Sequence, residues 1–141
     1  MRITRRQFAG LTAGSLALSG ANGFAAETGP LETFVPCRAI TRGPAHHWFG
    51  YYDKREFDPT NTLVLSNEVS FEGRSPTGED RIAVGYVDTS DGDRWTEIGT
   101  SNAWGWQQGC MLQWIGDDGK QILWNDREGD RFVCRLYSTE T

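Results

Sequence analysis

The chain has 141 residues and a formal net charge of −5, and it contains no apolar run near the roughly 20 residues that a membrane helix needs. Hydrophobic residues make up 38% of the sequence and aromatic residues 12%, which is too many for a disordered chain, and the length allows one domain at most. The excess of acidic residues argues against nucleic acid or an anionic membrane as the main partner.

Residues 1–25 predict a twin-arginine-type signal peptide. Arg5 and Arg6 precede Phe8, a mild apolar stretch follows, and Gly23-Phe24-Ala25 supplies the small residues of a cleavage site. An ordinary secretory leader that contains two arginines is the alternative. Cleavage would remove 25 of the 141 residues and leave 116; because the leader holds three arginines and no acid, the net charge would change from −5 to −8. We therefore expect folded export by the twin-arginine translocase to the bacterial periplasm or outside the cell, without a stable membrane anchor.

Three cysteines follow the leader, at positions 37, 110 and 134, and none of them forms a CxxC motif. An oxidising compartment permits one disulfide and leaves one thiol over. Three buried cysteines that pack as small hydrophobic residues are an equal alternative. Nothing in the spacing favours a metal–thiolate site.

Residues 26–45 are predicted to form an extended lead-in, and residues 46–141 then repeat a pattern twice. Each unit has an aromatic residue before a polar turn, at Phe57-Asp58-Pro59 and at Trp114 with the turn Asp117–Lys120. An apolar run follows, from Leu63 in the first unit and from Ile122 in the second. The units close on alternating stretches that begin at Ala83 and Phe132.

This repeat, with a period of about 50 residues, predicts an all-β chain and specifically a β-propeller of four-stranded antiparallel blades. A propeller closes with about four or more blades, and this chain supplies two. We therefore expect an N-terminal fragment, with assembly between chains as the alternative. Two blades alone would leave apolar faces half covered, for example at Ile122 and Trp124.

The richest functional segment runs from His46 to Lys54 and reads HHWFGYYDK. If it forms one strand, His47, Phe49, Tyr51 and Asp53 point to one side. Innermost strands of a propeller line its channel, and the repeat places residues 103–108 at the equivalent position of the second unit. Both segments are therefore candidates for a ligand site.

Several segments carry a resemblance to known families. The aromatic residue, polar turn and apolar run of each unit are similar to blades of TolB-like and WD40-like propellers. The stretches HHWFGYYDK, EVSFEGRSP, DGDRW, AWGWQQGCMLQW and WNDREGDRF resemble secreted propellers related to polysaccharide lyases, of the ulvan lyase and oligogalacturonate lyase type.

The resemblance implies β-elimination on an anionic, uronate-containing polysaccharide or oligosaccharide. In that reaction His46 or His47 is the candidate base and Tyr51 or Tyr52 the candidate acid. Candidate substrate-binding residues are Arg74 and Arg127 for the sugar carboxylate, Trp104 and Trp106 for stacking on sugar rings, and Gln107 beside them. A non-catalytic periplasmic propeller of the TolB type, which binds protein or glycan, is the alternative function.

Each candidate also has a purely structural interpretation. The two histidines can bond backbone carbonyls, and Tyr51 and Tyr52 can simply pack. Arg74 and Arg127 can form surface ion pairs with Glu72 and Glu128. Three tryptophans are predicted to be core residues between the units: Trp48, Trp114 and Trp124. No cofactor is predicted; the acidic stretches at 79–80, 88–93 and 126–130 raise calcium as an alternative to solvated turns, but none follows the EF-hand pattern.

Overall fold

The computed structural model describes residues 35–140, and this part of the chain is all-β. Its seven strands form two antiparallel sheets, and no helix occurs among the described residues. The predicted all-β class is therefore confirmed. The predicted leader and the first part of the lead-in lie outside the described residues. Within residues 35–140 nothing has the length and hydropathy of a membrane-spanning helix.

The first sheet contains four strands in chain order: β1 (His46–Trp48), β2 (Leu63–Val69), β3 (Ile82–Asp88) and β4 (Arg94–Ser101). Ile82 and Val84 of β3 are buried on one face and Val87 is buried on the other, so this strand is buried on both faces. The turn after β3 is closed by Asp88, whose side chain accepts a hydrogen bond from the Ser90 amide at 2.9 Å. Acidic residues of this stretch therefore stabilise a hairpin turn.

The second sheet contains β5 (Gln113–Ile115), β6 (Gln121–Glu128) and β7 (Arg131–Ser138). Its first connection is the predicted polar turn, in which the Lys120 amide donates to the Asp118 side chain at 3.1 Å. A two-residue connection joins β6 to β7, where Gly129 adopts a φ of 58° that favours glycine. The sheet has three strands among the described residues, one fewer than the predicted four per blade.

The hydrophobic core lies between the two sheets. Its buried members are Leu65, Val69, Ile82, Val84, Cys110, Leu112, Trp114, Ile122 and Trp124. The prediction that Trp114 and Trp124 are core residues is confirmed, whereas Trp48 is only partly buried and packs against the edge of the core cluster. Trp124 fits closely over Gly99, because a Cβ at Gly99 would lie 2.6 Å from its Cζ2 atom. The sheets therefore pack at near contact distance here.

The expectation of half-covered faces at Ile122 and Trp124 is wrong, since both side chains are buried against the first sheet. In the second sheet, the exposed apolar residues lie on the opposite face. Phe132 and Leu136 of β7 are 78% and 60% exposed. The apolar alternation located both faces correctly but did not show which of them is covered.

The predicted strand from His46 to Asp53 is also wrong in its length, because β1 ends at Trp48. Gly50 has a φ of 132°, and a Cβ there would lie 3.0 Å from the Gln108 carbonyl oxygen. The chain turns at this glycine because another loop passes directly beside it. Residues 103–108 are likewise a turn, closed by a bridge between Gly105 and Gly109, and Phe57 makes only an isolated bridge to Val64.

The lead-in covers the outer face of the first sheet. Val64 and Val87 are buried on this face, and Ile40 lines the same small cavity as they do. The Arg38 guanidinium pairs with the Asp93 carboxylate at 2.5 Å, which fastens the lead-in beside the start of β4. Both faces of the first sheet are thus covered within this chain.

Candidate functional site

Four aromatic side chains cluster where β1, the end of β2 and the 103–109 turn meet. Trp104 and Trp106 are perpendicular, with ring centroids 5.1 Å apart. Trp48 lies 5.6 Å from the first and 5.4 Å from the second, and Phe71 contacts both. Such edge-to-face and tilted contacts are favourable between aromatic rings. The cluster gives the two candidate sugar-stacking residues fixed orientations.

Hydrogen bonds hold the same two indoles. Trp104 Nε1 donates to the Asp80 carbonyl at 2.8 Å, and Trp106 Nε1 donates to the Arg74 carbonyl at 2.7 Å. The turn that carries both indoles is closed by reciprocal backbone hydrogen bonds between Gly105 and Gly109, at 3.1 and 2.8 Å. Both tryptophans are therefore held by a rigid turn and by the loop between β2 and β3.

Four predicted substrate-binding residues line one surface cleft of about 1060 Å³: Trp104, Trp106, Gln107 and Arg127. The opposite wall is the start of β7 and the end of β6. There Asn125 and Phe132, which the sequence analysis did not select, also face the cleft. The cleft therefore combines aromatic surfaces with amide groups and one cation.

The two candidate arginines are in different electrostatic situations. Arg74 makes two hydrogen bonds of 2.7 Å to the Asp80 carboxylate and lies 3.6 Å above the Phe71 ring. The hydrogen bonds to Asp80 raise the pKa of Arg74, although burial opposes this, and the Arg74 hydrogen bond lowers the pKa of Asp80. The fork of the Arg74 guanidinium is therefore already occupied by a carboxylate.

Arg127 keeps its cation available. Its Nε donates to the Gly129 carbonyl at 2.8 Å, which fixes the side chain over the β6–β7 turn. No carboxylate within residues 35–140 lies within 4.0 Å of its guanidinium, whereas Glu128, its expected partner, pairs with Arg135 at 2.7 Å. Its Nη1 atom lies near the loop between β2 and β3, since a Cβ added at Gly78 would be 3.9 Å from it. This places an unpaired positive charge in the cleft with the tryptophans.

The two histidines point to different places. His46, whose side chain is 44% exposed, has its Nδ1 atom 3.4 Å from the Glu72 carboxylate. His47 is only 6% exposed and pairs through Nε2 with Glu68 at 3.0 Å, while its ring contacts Trp95 edge-on at 5.0 Å. Burial lowers the pKa of His47, and the charge of Glu68 opposes that shift only in part. Neither histidine lines the tryptophan cleft.

The two tyrosines form a separate pair after β1. Their rings are 4.4 Å apart, and Tyr52 is 86% exposed. The hydrogen bond to Tyr52 raises the pKa of Tyr51, with burial and Asp53 adding to the shift. Tyr52 lines a shallow pocket with residues 54–59 and Asn61, outside the tryptophan cleft. The structure thus brings four of the five binding candidates together in one cleft, and leaves Arg74 and the four catalytic candidates outside it.

The described residues contain no cluster of histidine, cysteine or acidic side chains that could hold a metal ion. The acidic stretches instead serve the fold: Asp93 pairs with Arg38, and Asp126 accepts from the Asn102 amide and pairs with Arg135. All three cysteines are free; Cys110 is buried, and Cys37 and Cys134 are exposed.

Asn125 and Phe132 escaped the sequence analysis because each follows the alternation of an ordinary strand. The one available signal was the motif WNDREGDRF, in which Arg127 lies between them. The hairpin pairs Arg127 directly opposite Phe132 on the neighbouring strand. Comparison with known proteins gives no matching family, no similar curated protein and no similar solved structure.

Proposed function

We propose that this chain is part of an exported β-propeller protein that binds an anionic, uronate-containing glycan in the cleft between the 103–109 turn and β7. The observation that carries this proposal is the position of Arg127, an unpaired guanidinium in a cleft with Trp104 and Trp106. Indole faces match the apolar faces of sugar rings, and a guanidinium binds a carboxylate through two parallel hydrogen bonds.

The amide side chains of Gln107 and Asn125 add donors and acceptors for sugar hydroxyls along the same cleft. The net charge of −5 disfavours an anionic ligand at long range, but screening limits that effect to about 8–10 Å in physiological salt. The local cation therefore decides which charge the cleft accepts. Two stacked antiparallel sheets of similar strand order support the propeller architecture, with each sheet as one blade.

Calorimetric titration of the full chain with oligogalacturonate tests this function. Arg127→Gln should weaken binding about 10- to 100-fold, because a charged hydrogen-bonding pair is lost. Gly78→Asp should act similarly, since its Cβ would lie 3.9 Å from Arg127 Nη1 and its carboxylate would compete with the ligand.

Arg94→Gln is the matched control, because Arg94 pairs with Asp91 on an exposed turn. A fully methyl-esterified oligogalacturonate should bind wild type and Arg127→Gln equally. If the wild-type chain binds the acid form no better than the ester, the anionic glycan is the wrong ligand.

The second candidate function is a polysaccharide lyase, which one contact favours. The Glu72 carboxylate lies 3.4 Å from His46 Nδ1, and on this proposal it orients the imidazole with Nε2 toward the substrate; Glu72 also lines a pocket with Arg74 and Trp106. In the proposed elimination His46 removes the proton next to the sugar carboxylate, a carbon–carbon double bond forms, and the glycosidic carbon–oxygen bond breaks. Tyr51 or Tyr52 is the proposed acid that protonates the departing oxygen.

Release of the unsaturated uronate, read by ultraviolet absorbance, tests the lyase. His46→Ala should lower the rate about 100-fold or more, and His46→Gln should not restore it. His47→Ala is expected to act through stability instead, because His47 is buried in the first sheet. Binding of oligogalacturonate without any unsaturated product would leave the non-catalytic binding propeller as the function.

A further inference from the structure

Phe132 is a large apolar side chain on the solvent-exposed face of the second sheet. It is 78% exposed at the start of β7, and it lines the same cleft as Trp104 and Trp106. A single exposed aromatic residue needs no explanation by itself. Its position opposite the cation of the cleft is what gives it a function.

The strand register puts Phe132 and Arg127 in the closest kind of cross-strand pair. Phe132 is directly opposite Arg127, and the Thr139 amide donates to the Lys120 carbonyl at 2.9 Å. Hydrogen-bonded and non-hydrogen-bonded pairs alternate along an antiparallel ladder. Counting from Lys120, Arg127 falls on a non-hydrogen-bonded pair, in which side chains approach most closely. The two side chains therefore leave directly paired backbone positions on the same face of the sheet.

The cleft is consequently lined by aromatic side chains on both walls and by one cation. Trp106 belongs to the 103–109 turn on one wall, and Phe132 belongs to β7 on the other. The Nε hydrogen bond to Gly129, and the position of Nη1 3.9 Å from where a Cβ at Gly78 would lie, place the Arg127 guanidinium beside the loop that carries Gly78, in the same cleft. A ligand that contacts both Trp106 and Phe132 therefore shares the cleft with the Arg127 cation.

We infer that Phe132 is a second sugar-stacking platform and that the cleft takes an oligosaccharide rather than a single sugar. The charged sugar binds Arg127 while its neighbours in the chain stack on Trp106 and on Phe132. This inference rests on the proposed glycan-binding function. Charge complementarity identifies the occupant: an uncharged apolar partner would bury the Arg127 cation without a counter-ion, which is costly.

The test compares a disaccharide and a hexasaccharide of galacturonate, titrated into the full chain by calorimetry. Wild type should bind the hexasaccharide more tightly, since only the longer ligand reaches both platforms. Phe132→Ala should lower hexasaccharide affinity about fivefold to tenfold and abolish most of the difference between the two ligands. Phe132→Tyr should preserve that difference, because it keeps the aromatic face.

Leu136→Ala is the matched control, because Leu136 is exposed on the same face of β7 but does not line the cleft. It should leave both affinities unchanged. If Phe132→Ala leaves hexasaccharide affinity within twofold of wild type while Arg127→Gln lowers it, the second platform is wrong and the proposed function stands. Equal losses in Phe132→Ala and Leu136→Ala would also overturn the platform, since the whole face would then be responsible. If wild type binds neither ligand, the proposed function itself fails.

Discussion

The two sheets are built from similar strands but differ in how many of their faces are covered. In the first sheet Ile82 and Val84 face the core, and Val87 is buried on the opposite side beneath the lead-in. In the second sheet only the inner face, with Ile122 and Trp124, is buried. The outer face carries exposed Phe132 and Leu136. An alternating strand therefore defines two faces, and distant segments decide which of them is covered.

The cover of the first sheet comes from a segment without regular structure. Residues 37–42 contribute Ile40 to the cavity beside Val87 and Arg38 to the ion pair with Asp93. No described segment does the same for the second sheet. The cleft that we propose as the glycan site lies at one end of that uncovered face. On this proposal, the covered sheet is structural and the uncovered face carries the binding surface.

Trp124→Ala should have the largest effect, because it removes the side chain that fills the space between the sheets. We expect a loss of about 3–5 kcal/mol in the free energy of unfolding, measured by urea titration. Trp124 Nε1 also donates to the Thr100 carbonyl at 3.1 Å, so part of this loss is a hydrogen bond between the sheets. A loss under about 1 kcal/mol would mean that the sheets do not depend on each other.

Val87→Ala tests whether the lead-in truly covers the first sheet. A fully buried valine contributes about 1.5–3 kcal/mol, and most of that should be lost. Arg38→Gln removes the charge that pairs with Asp93 and should lower the free energy of unfolding much less, because exposed ion pairs contribute little to stability. If Val87→Ala is as mild as a surface substitution, the outer face of the first sheet is open to water.

The buried His47 should give the first sheet a dependence on pH in the range where histidine titrates, and the second sheet contains no histidine. Burial lowers the pKa of His47 in the folded chain, so the unfolded chain binds the proton more readily. Stability should be complete above about pH 6.5, the ordinary histidine value, and decline as the pH falls from there through the folded pKa.

Arg42, Glu68 and Asp93 line the same cavity as His47, so the urea titrations should be repeated in the His47→Gln chain to isolate the histidine. That variant should lose the decline between pH 6.5 and the folded pKa of His47. An unchanged pH profile in His47→Gln would assign the decline to other groups.

Leu136→Ser should have the smallest effect, within about 0.5 kcal/mol, since the side chain is 60% exposed. The measurement is again the urea midpoint, with Ile122→Ser on the inner face as the strongly destabilised comparison. A large loss in Leu136→Ser would mean that the outer face is covered in solution.

Local patterns predicted much of this fold. Alternation located β3 and β7, the acidic turn Asp117–Lys120 located the β5–β6 connection, and Trp114 and Trp124 were predicted as core residues. These features depend on neighbouring residues alone. The length of β1 was mispredicted because Gly50 meets the Gln108 carbonyl, a contact between residues distant in sequence.

The candidate site shows the same limit for electrostatics. Sequence neighbours suggested that Glu72 and Glu128 pair with Arg74 and Arg127. In the structure Arg74 pairs with Asp80, and Glu128 pairs with Arg135. Arg127 therefore has no carboxylate partner among residues 35–140. Which arginine remains available depends on strand register and loop path. The sequence predicted Trp104, Trp106, Gln107 and Arg127 as binding residues, but not the contributions of Asn125 and Phe132 or the loss of a carboxylate partner for Arg127.

The reactivity of the Cys110 thiol can report how often the two sheets separate. Its thiol donates to Asn67 Oδ1 at 3.3 Å, in the layer where the sheets meet, and burial raises its pKa to about 12. Thiol-reactive reagents will therefore modify the exposed Cys37 and Cys134 promptly. They will modify Cys110 only in molecules in which the two sheets have separated around it. The slow third modification event then reports the population of molecules in which the sheets have parted, at equilibrium and without denaturant. The native chain thus carries its own probe of opening at this junction.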